Sequence, residues 1–305
     1  MKNVIKSILL SIITKALFIL IAIVLIISKS YADHGKKLKI DTSKGPWVHK
    51  LYSKNSSSNK FTRKGVLLVD GGHVPSLVEK NGILYAYFQW FPKNPSQIDA
   101  FDHIGFKTKK LSENKWSETE KVVFKNVPKR VFGKKTRPMD PSAVLLQNNT
   151  IRLYFTLEPF GPMEKIKGDA RIFSAVSTDG KVFIFEEGAR LSIDNLDLRD
   201  PAISYFKNKW HLYIPNQKRN GTGIYAISKD GLNFTRQKDV RVSAKGDWLG
   251  HSTVCKNKLY FFGTVWKGLS NNGQNWKSFN SLGVGPDPAV ICLSNGKWSA
   301  ITSVK

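Results

Sequence analysis

Beyond its first 32 residues the sequence has no stretch with sustained helical periodicity. That excludes helical bundles and leaves a chain of short, alternating, strand-like runs. No later apolar run is long enough to cross a bilayer, which takes about 20 residues. Cysteine is almost absent, with only Cys255 and Cys292, so a disulfide framework cannot define the fold. Acidic residues are scarce: 23 Asp and Glu stand against 48 Lys and Arg, a formal net charge of +25. The bases are mostly lysine and are scattered, with small clusters such as Lys134-Lys135. Such a surface is either simply well solvated or drawn to acidic polymers or an anionic envelope. Nucleic acid is not an expected partner, because no binding motif is recognisable.

The chain opens with Lys2 and Lys6, an unbroken apolar run from Ala16 to Ile27, and Ser30-Tyr31-Ala32. A positive start, a short apolar segment and small residues at the two recognition positions form a signal-peptide pattern. Residues 1–32 are therefore expected to be a signal peptide cleaved after Ala32, with retention as an N-terminal anchor as the alternative. The mature domain, residues 33–305, is expected outside the cytoplasm, extracellular or periplasmic. No membrane span is expected after cleavage.

Internal repetition decides the fold class. Met139-Asp140-Pro141-Ser142-Ala143-Val144, Arg199-Asp200-Pro201-Ala202-Ile203 and Pro286-Asp287-Pro288-Ala289-Val290 each lead through an Asn-containing turn to a second apolar run. A second hairpin follows the first two copies, with Ser177-Thr178-Asp179-Gly180 leading to Phe183 and Ser228-Lys229-Asp230-Gly231 leading to Phe234. Two hairpins make one four-stranded propeller blade. Degenerate starts at His73 and His251 bring the number of blades to five. The last start leaves too few residues for a whole blade, and the segment from Leu51 to Val69 supplies the missing outer strands. The prediction is an all-β, five-bladed β-propeller closed by an N-terminal strand, which removes exposed sheet edges. Cys255 and Cys292 then fall on inner strands of neighbouring blades, where they are expected as buried free thiols. The Pro-, Gly- and Lys-rich stretches near 91–101, 126–138 and 159–170 read as loops.

In this architecture the first strand of each blade lines the axis, and each Asp-Pro pair sits where that strand begins. Asp140, Asp200 and Asp287 should converge at one mouth, with Arg137 and Arg199 beside two of them. Strand ends returning to the mouth bring Trp90, Glu158 and Trp266, and the third strands bring His103 and Arg171. Converging carboxylates with basic neighbours can have their pKa values pushed apart, as acid and base chemistry requires. Asp before Pro can equally serve only to cap backbone N–H groups. Trp90 and Trp266 are the candidates for stacking on sugar, whereas Trp248, Trp276, Trp298 and His211 read as packing residues. The Ser-x-Asp-Gly turns should lie on the opposite side and be structural.

Arg199-Asp200-Pro201 resembles the Arg-Asp-Pro element of the invertase branch of the five-bladed propeller glycosidases, the group of arabinanases, β-xylosidases, invertases and levansucrases. Asp140-Pro141 is similar to the Asp-Pro pair common in the arabinanase branch. The resemblance spans the mature chain as architecture and implies that Asp200 stabilises a transition state. The Ser-x-Asp-Gly-x-x-Phe turns also resemble sialidase Asp boxes, with a spacing one residue shorter. The sequence departs from the glycosidase pattern at two places. The first blade begins with His73 or Val74, depending on whether Asn81-Gly82 or Pro75 sets the alignment, where the group has a catalytic Asp. The fourth begins with Trp248-Leu249-Gly250-His251 where the group has its acidic Glu nearby.

The function that follows is an exported glycoside hydrolase acting on an extracellular glycan, with an acidic one favoured by the arginines and the overall charge. Asp140 or Asp200 would be the base or stabiliser and Glu158 the acid, with Asp287 as the further candidate. His73, Trp90, His103, Arg137, Arg171, Arg199, His251 and Trp266 would bind substrate. A non-catalytic glycan-binding propeller is the first alternative. A metal ion in the channel, held by His73, His251 and the aspartates, is the second. Otherwise no cofactor is expected, and the protein is expected to be a monomer.

Overall fold

The computed structural model describes residues 49–61, 64–91, 103–128, 138–157, 170–242, 247–281 and 283–304. Residues 1–48 (which include the expected signal peptide), Arg137, Glu158 and most of the three expected loop stretches lie outside them. All regular elements among the described residues are strands, and none is a helix long and apolar enough to cross a membrane. They form five sheets arranged as a five-bladed β-propeller.

Blade 1 contains β3 (Gly72–Lys80), β4 (Ile83–Trp90), β5 (His103–Lys110) and β6 (Glu120–Lys121). Blade 2 contains β8 (Pro138–Leu145), β9 (Ile151–Leu157), β10 (Arg171–Ser177) and β11 (Val182–Leu191), with β7 (Val123–Lys125) added in parallel on its outer edge. Blade 3 runs through β12 (Ala202–Phe206), β13 (Lys209–Pro215) and β14 (Thr222–Ser228) to the short β15 (Thr235–Arg236) and β16 (Val240–Arg241). Blade 4 is β17 (Gly250–Cys255), β18 (Lys258–Gly263), β19 (Lys267–Ser270) and β20 (Trp276–Ser278). Blade 5 joins β21 (Ala289–Cys292) and β22 (Trp298–Val304) to β1 (Lys50–Ser56) and β2 (Val66–Asp70). The inner strands pack in a ring, β3 on β8, β8 on β12, β12 on β17, β17 on β21 and β21 back on β3.

Ring closure is a full antiparallel ladder between the two ends of the described chain. Every residue of β1 pairs with β22, from Lys50 opposite Val304 to Ser56 opposite Trp298. The segment after β1 goes further: Phe61 is buried with Cys255, Phe262, Val290 and Trp298 between blades 4 and 5.

The core is divided among five clusters, one between each pair of neighbouring blades. Strand period two explains this, because successive side chains face opposite sides of a sheet. In β9, Leu153 and Phe155 face blade 1 while Tyr154 faces blade 3. In β13, Leu212 and Ile214 face blade 2 while Tyr213 faces blade 4.

The Ser-x-Asp-Gly turns latch these layers together. Asp179 Oδ1 accepts the N–H groups of Lys181 and Val182, and Asp230 Oδ1 accepts those of Leu232 and Asn233. A third copy, Ser270-Asn271-Asn272-Gly273, has the same bonds with Asn272 in place of Asp. Each turn glycine has positive φ, between 74° and 82° at Gly180, Gly231 and Gly273. Each also presents its carbonyl to a tyrosine of the preceding blade: Tyr87 to Gly180 (2.8 Å), Tyr154 to Gly231 (2.7 Å) and Tyr213 to Gly273 (2.6 Å). A Cβ on Gly231 would lie 2.8 Å from the Tyr154 hydroxyl, so glycine is needed for fit as well as for φ.

The cysteines correct the expectation of free thiols. They do lie on β17 and β21, the inner strands of neighbouring blades, but Cys255 and Cys292 are bridged, with Cα atoms 5.5 Å apart. Inner strands converge towards the axis, and this convergence brings the two positions to disulfide distance.

Deleting residues 1–70 removes two strands of blade 5 and is expected to abolish cooperative folding; a sharp thermal transition in the truncated chain would make the closing ladder dispensable. Tyr154→Phe removes only the hydroxyl of one latch and leaves a buried carbonyl without its partner. It should lower unfolding free energy in urea by about 1–3 kcal/mol.

Candidate active site

The beginnings of the inner strands share an unusual backbone. Asp140, Asp200 and Asp287 have φ of 51°, 55° and 43°, and Val74 has 41°. Aspartate tolerates this left-handed region because its short polar side chain bonds locally. A β-branched residue there is a genuine outlier, costing about 1–3 kcal/mol. β3 and β8 each have a register break at this point, between His73 and Ser76 and between Met139 and Ser142. The shared φ settles the alignment of blade 1: Val74, before Pro75, is the counterpart of the three aspartates, and His73 precedes it. Blade 1 therefore offers no carboxylate at this position.

The three aspartates come together as the sequence implies. Asp140 and Asp287 are buried, and Asp200 is half-buried. The Asp200 N–H approaches Asp140 Oδ2 at 3.3 Å, so the carboxyl of blade 2 ties down the start of blade 3. Asp287 accepts the Val74 N–H and thus ties blade 5 to blade 1. Its own N–H donates to Thr264 Oγ1 at 3.1 Å.

Burial and mutual repulsion raise all three carboxyls, to different extents. Burial pushes Asp140 up, while the Thr156 hydroxyl, the Asp200 N–H and the Arg199 guanidinium pull it back. Asp200 is driven well above the usual carboxylate range, by burial first and then by the charges of Asp140 and Asp287, with only Arg199 opposing. Asp287 is pushed up to about 7, by burial and then by the charge of Asp140. At neutral pH the cluster can therefore hold an ionised and a protonated carboxyl side by side.

Around this cluster, His73 Nδ1 lies 3.8 Å from Asp287 Oδ2. Trp90 and His103 are directly paired on β4 and β5 at the rim of blade 1, both half-buried. Arg171 is exposed at the start of β10. Two expectations need correction. Trp266 is not a platform for sugar: it is buried among Trp248, Phe261 and Trp276, and its Nε1 donates to Ser278 Oγ. His251 lies deeper on the axis, buried, with Nδ1 bonded to the Val290 carbonyl at 3.0 Å. Burial lowers its pKa to about 4, so it is a neutral link between blades 4 and 5. It lines an axial cavity of about 550 Å³ together with residues from all five inner strands. Among the described residues, no group of three His, Cys, Asp or Glu side chains is placed to hold a metal ion. His211 is packed as expected, between the Tyr225 hydroxyl and the Phe206 carbonyl.

One acidic residue was missed. Asp247 precedes the start of blade 4, accepts the N–H groups of Thr264 and Val265, lies beside Lys267, and adds its charge to Asp287. It is the only acid between Asp239 and Asp287, and that isolation next to Trp248-Leu249-Gly250 was the available signal.

Solved structures with a similar arrangement of blades include glycoside hydrolases. A family 117 enzyme of the marine bacterium Zobellia galactanivorans is 12% identical, with a TM-score of 0.54 over 85% of this chain and 92% of that one. A GH43 β-1,3-galactosidase is 12% identical, with a TM-score of 0.56 over 82% and 94%. A GH32 β-fructofuranosidase of Bombyx mori is 17% identical, with a TM-score of 0.51 over 75% and 54%. No protein-family model and no curated protein matches the chain. At these identities the likeness establishes the fold alone: the chain is a five-bladed β-propeller.

The raised Asp287 carboxyl has a consequence for stability. Between its ordinary value near 3.9 and about 7, the native state keeps a proton that the unfolded chain has released, so stability falls as pH rises through that window. Asp287→Asn lacks this penalty. Between pH 4 and pH 8 the stability difference should move in favour of the variant by a few kcal/mol, as read from urea unfolding at the two pH values.

Proposed function

We propose that the protein is an exported glycoside hydrolase acting on an extracellular glycan, with the carboxyls at the mouth as its chemical groups. The observation that carries this reading is the convergence of Asp140, Asp200 and Asp287 from equivalent positions of three blades, with protonation held apart by burial and repulsion. Glycoside hydrolysis generally needs one carboxyl to protonate the leaving oxygen and another to act as base or nucleophile. Asp140, pulled down by Arg199 and two hydrogen-bond donors, suits the ionised role. Asp200 and Asp287 suit the protonated one, which relieves Glu158 of being the only candidate acid. Arg199, His73 and the exposed Arg171 would meet hydroxyls or charged groups of a sugar. The names of the structural neighbours, a galactosidase and a fructofuranosidase among them, support the class of reaction.

A glycan-binding propeller without turnover is the second reading. It is favoured by Val74, which stands where the glycosidase group has a catalytic Asp, and by the use of Asp140 and Asp287 to tie down neighbouring backbone N–H groups.

Asp200→Asn separates the two. It keeps the shape but can neither give up a proton nor carry a charge. A merely structural Asp should show its loss in stability, within about 0.5–2 kcal/mol for a capping role. A catalytic Asp should leave the melting temperature within a few degrees and reduce turnover by roughly a hundredfold or more. The assay is release of reducing sugar from a panel of cell-wall and algal polysaccharides. No release by the wild-type protein, with retained binding on a glycan array, would favour the second reading.

A further inference from the structure

Beside the axis, a second pocket opens at the mouth between blades 5 and 1. Its volume is about 520 Å³, and Asp287 forms part of its wall. The rest comes from His49, just before β1, from Lys54 in β1, from His73 at the start of β3, from residues 283–286, and from the end of β22 at Thr302, Ser303 and Val304. Three basic side chains and one carboxyl thus line the pocket. Lys54 is half-buried and donates to the Gly283 carbonyl at 2.7 Å, which leaves two further donors on its ammonium. The His49 and His73 rings meet edge to face at 4.7 Å, and His49 Nδ1 lies 3.4 Å from Ser303 Oγ. Val284, Pro286 and Val304 supply apolar wall, which lowers the local dielectric and strengthens any charge interaction made there.

The geometry points to this pocket as a subsite for an anionic substituent, a carboxylate or sulfate carried by a sugar bound at the mouth. The inference rests on the reading of the mouth as a glycan site and adds the class of glycan. Its chemistry has a definite pH sign. Where Asp287 is ionised, its charge offsets that of Lys54, whose pKa burial lowers. As pH falls through about 7, where Asp287 takes up a proton, the pocket becomes more positive. The other charges nearby are Lys50 and Asp70, ion-paired with each other at 3.6 Å, and Asp140 and Asp247 behind Asp287. Asp140 and Asp247 add to the repulsion of an anion wherever they are ionised, so protonation at lower pH favours binding.

The test is calorimetric or NMR titration of the purified full chain with D-glucuronate, D-galactose 6-sulfate and D-galactose, at pH 5.5 and pH 8.5. At least one anionic sugar should bind about tenfold more tightly at pH 5.5 than at pH 8.5, and more tightly than galactose. Which of the two does so identifies the substituent. Lys54→Met and His49→Gln should each weaken the anionic ligand at pH 5.5 and leave galactose unchanged. Asp287→Asn should act in the opposite direction, tightening the anionic ligand about tenfold at pH 8.5 by removing the repelling charge. That gain cannot come from a damaged pocket. Equal binding of anionic and neutral sugars, pH dependence that survives in the triple variant His49→Gln, His73→Gln, Asp287→Asn, or no gain in Asp287→Asn would overturn the subsite. Because the readout is binding, an inactive protein that shows the expected pattern refutes hydrolysis and keeps the subsite, while an active one without it does the reverse.

Discussion

The ladder between β1 and β22 is the constraint on which the rest of the molecule depends. A ring of sheets has no stable open form, since an unclosed blade leaves two rows of unpaired backbone groups. Here the closing blade takes two strands from each end of the described chain. Closure brings β21 against β3. That contact puts His73 beside Asp287 and lets Asp287 take the Val74 N–H. The pocket with His49 and Lys54 exists only because a strand from the start of the chain lies next to one from its end.

The mouth shows how a repeat turns a local backbone preference into chemistry. An Asp-Pro pair at the head of one strand is an ordinary device for fixing a turn. Placed at the same point in three blades around an axis, it gathers three carboxyls that cannot all ionise. The same residues therefore serve as ties between blades and as a source of shifted protonation. The two roles are compatible, because a tie to a backbone N–H uses one face of the carboxyl. Val74 breaks the pattern while keeping the strained backbone. The conformation is thus imposed by the ring and does not require an acid.

Much of this was legible before any coordinates. The Asp-Pro copies, the Asn-containing turns and the Ser-x-Asp-Gly turns revealed the blades, because each depends on local backbone chemistry that sequence displays directly. The shortage of residues after Asp287 revealed the closure. Less was visible where meaning depends on distance. The third turn, at Ser270, went unseen because Asn272 replaces the Asp, although the amide oxygen accepts the same two N–H groups. Trp266 was assigned to the surface because its strand returns to the mouth, but the next blade face covers it. The disulfide was missed because apolar flanks suit a buried thiol and a buried bridge equally well. Asp247 was missed because its partner, Asp287, is far along the chain.

The seam that closes the ring also sets an order of events during synthesis. Blades 1 to 4 are built from contiguous stretches and can gather as they emerge, each needing only its neighbour for a packing surface. Lys50 meets Val304 only when nearly the whole chain is available. Such a distant pairing costs chain entropy that nearer contacts do not. Until then β1 and β2 are loose strands, with Val66 and Leu67 facing outward, and the growing protein carries an unpaired edge at its front. The bridge between Cys255 and Cys292 joins blade 4 to the first strand of the closing blade. An oxidant that acts before the last strand arrives would hold β21 against blade 4 as the edge on which β22, and then β1, must pair.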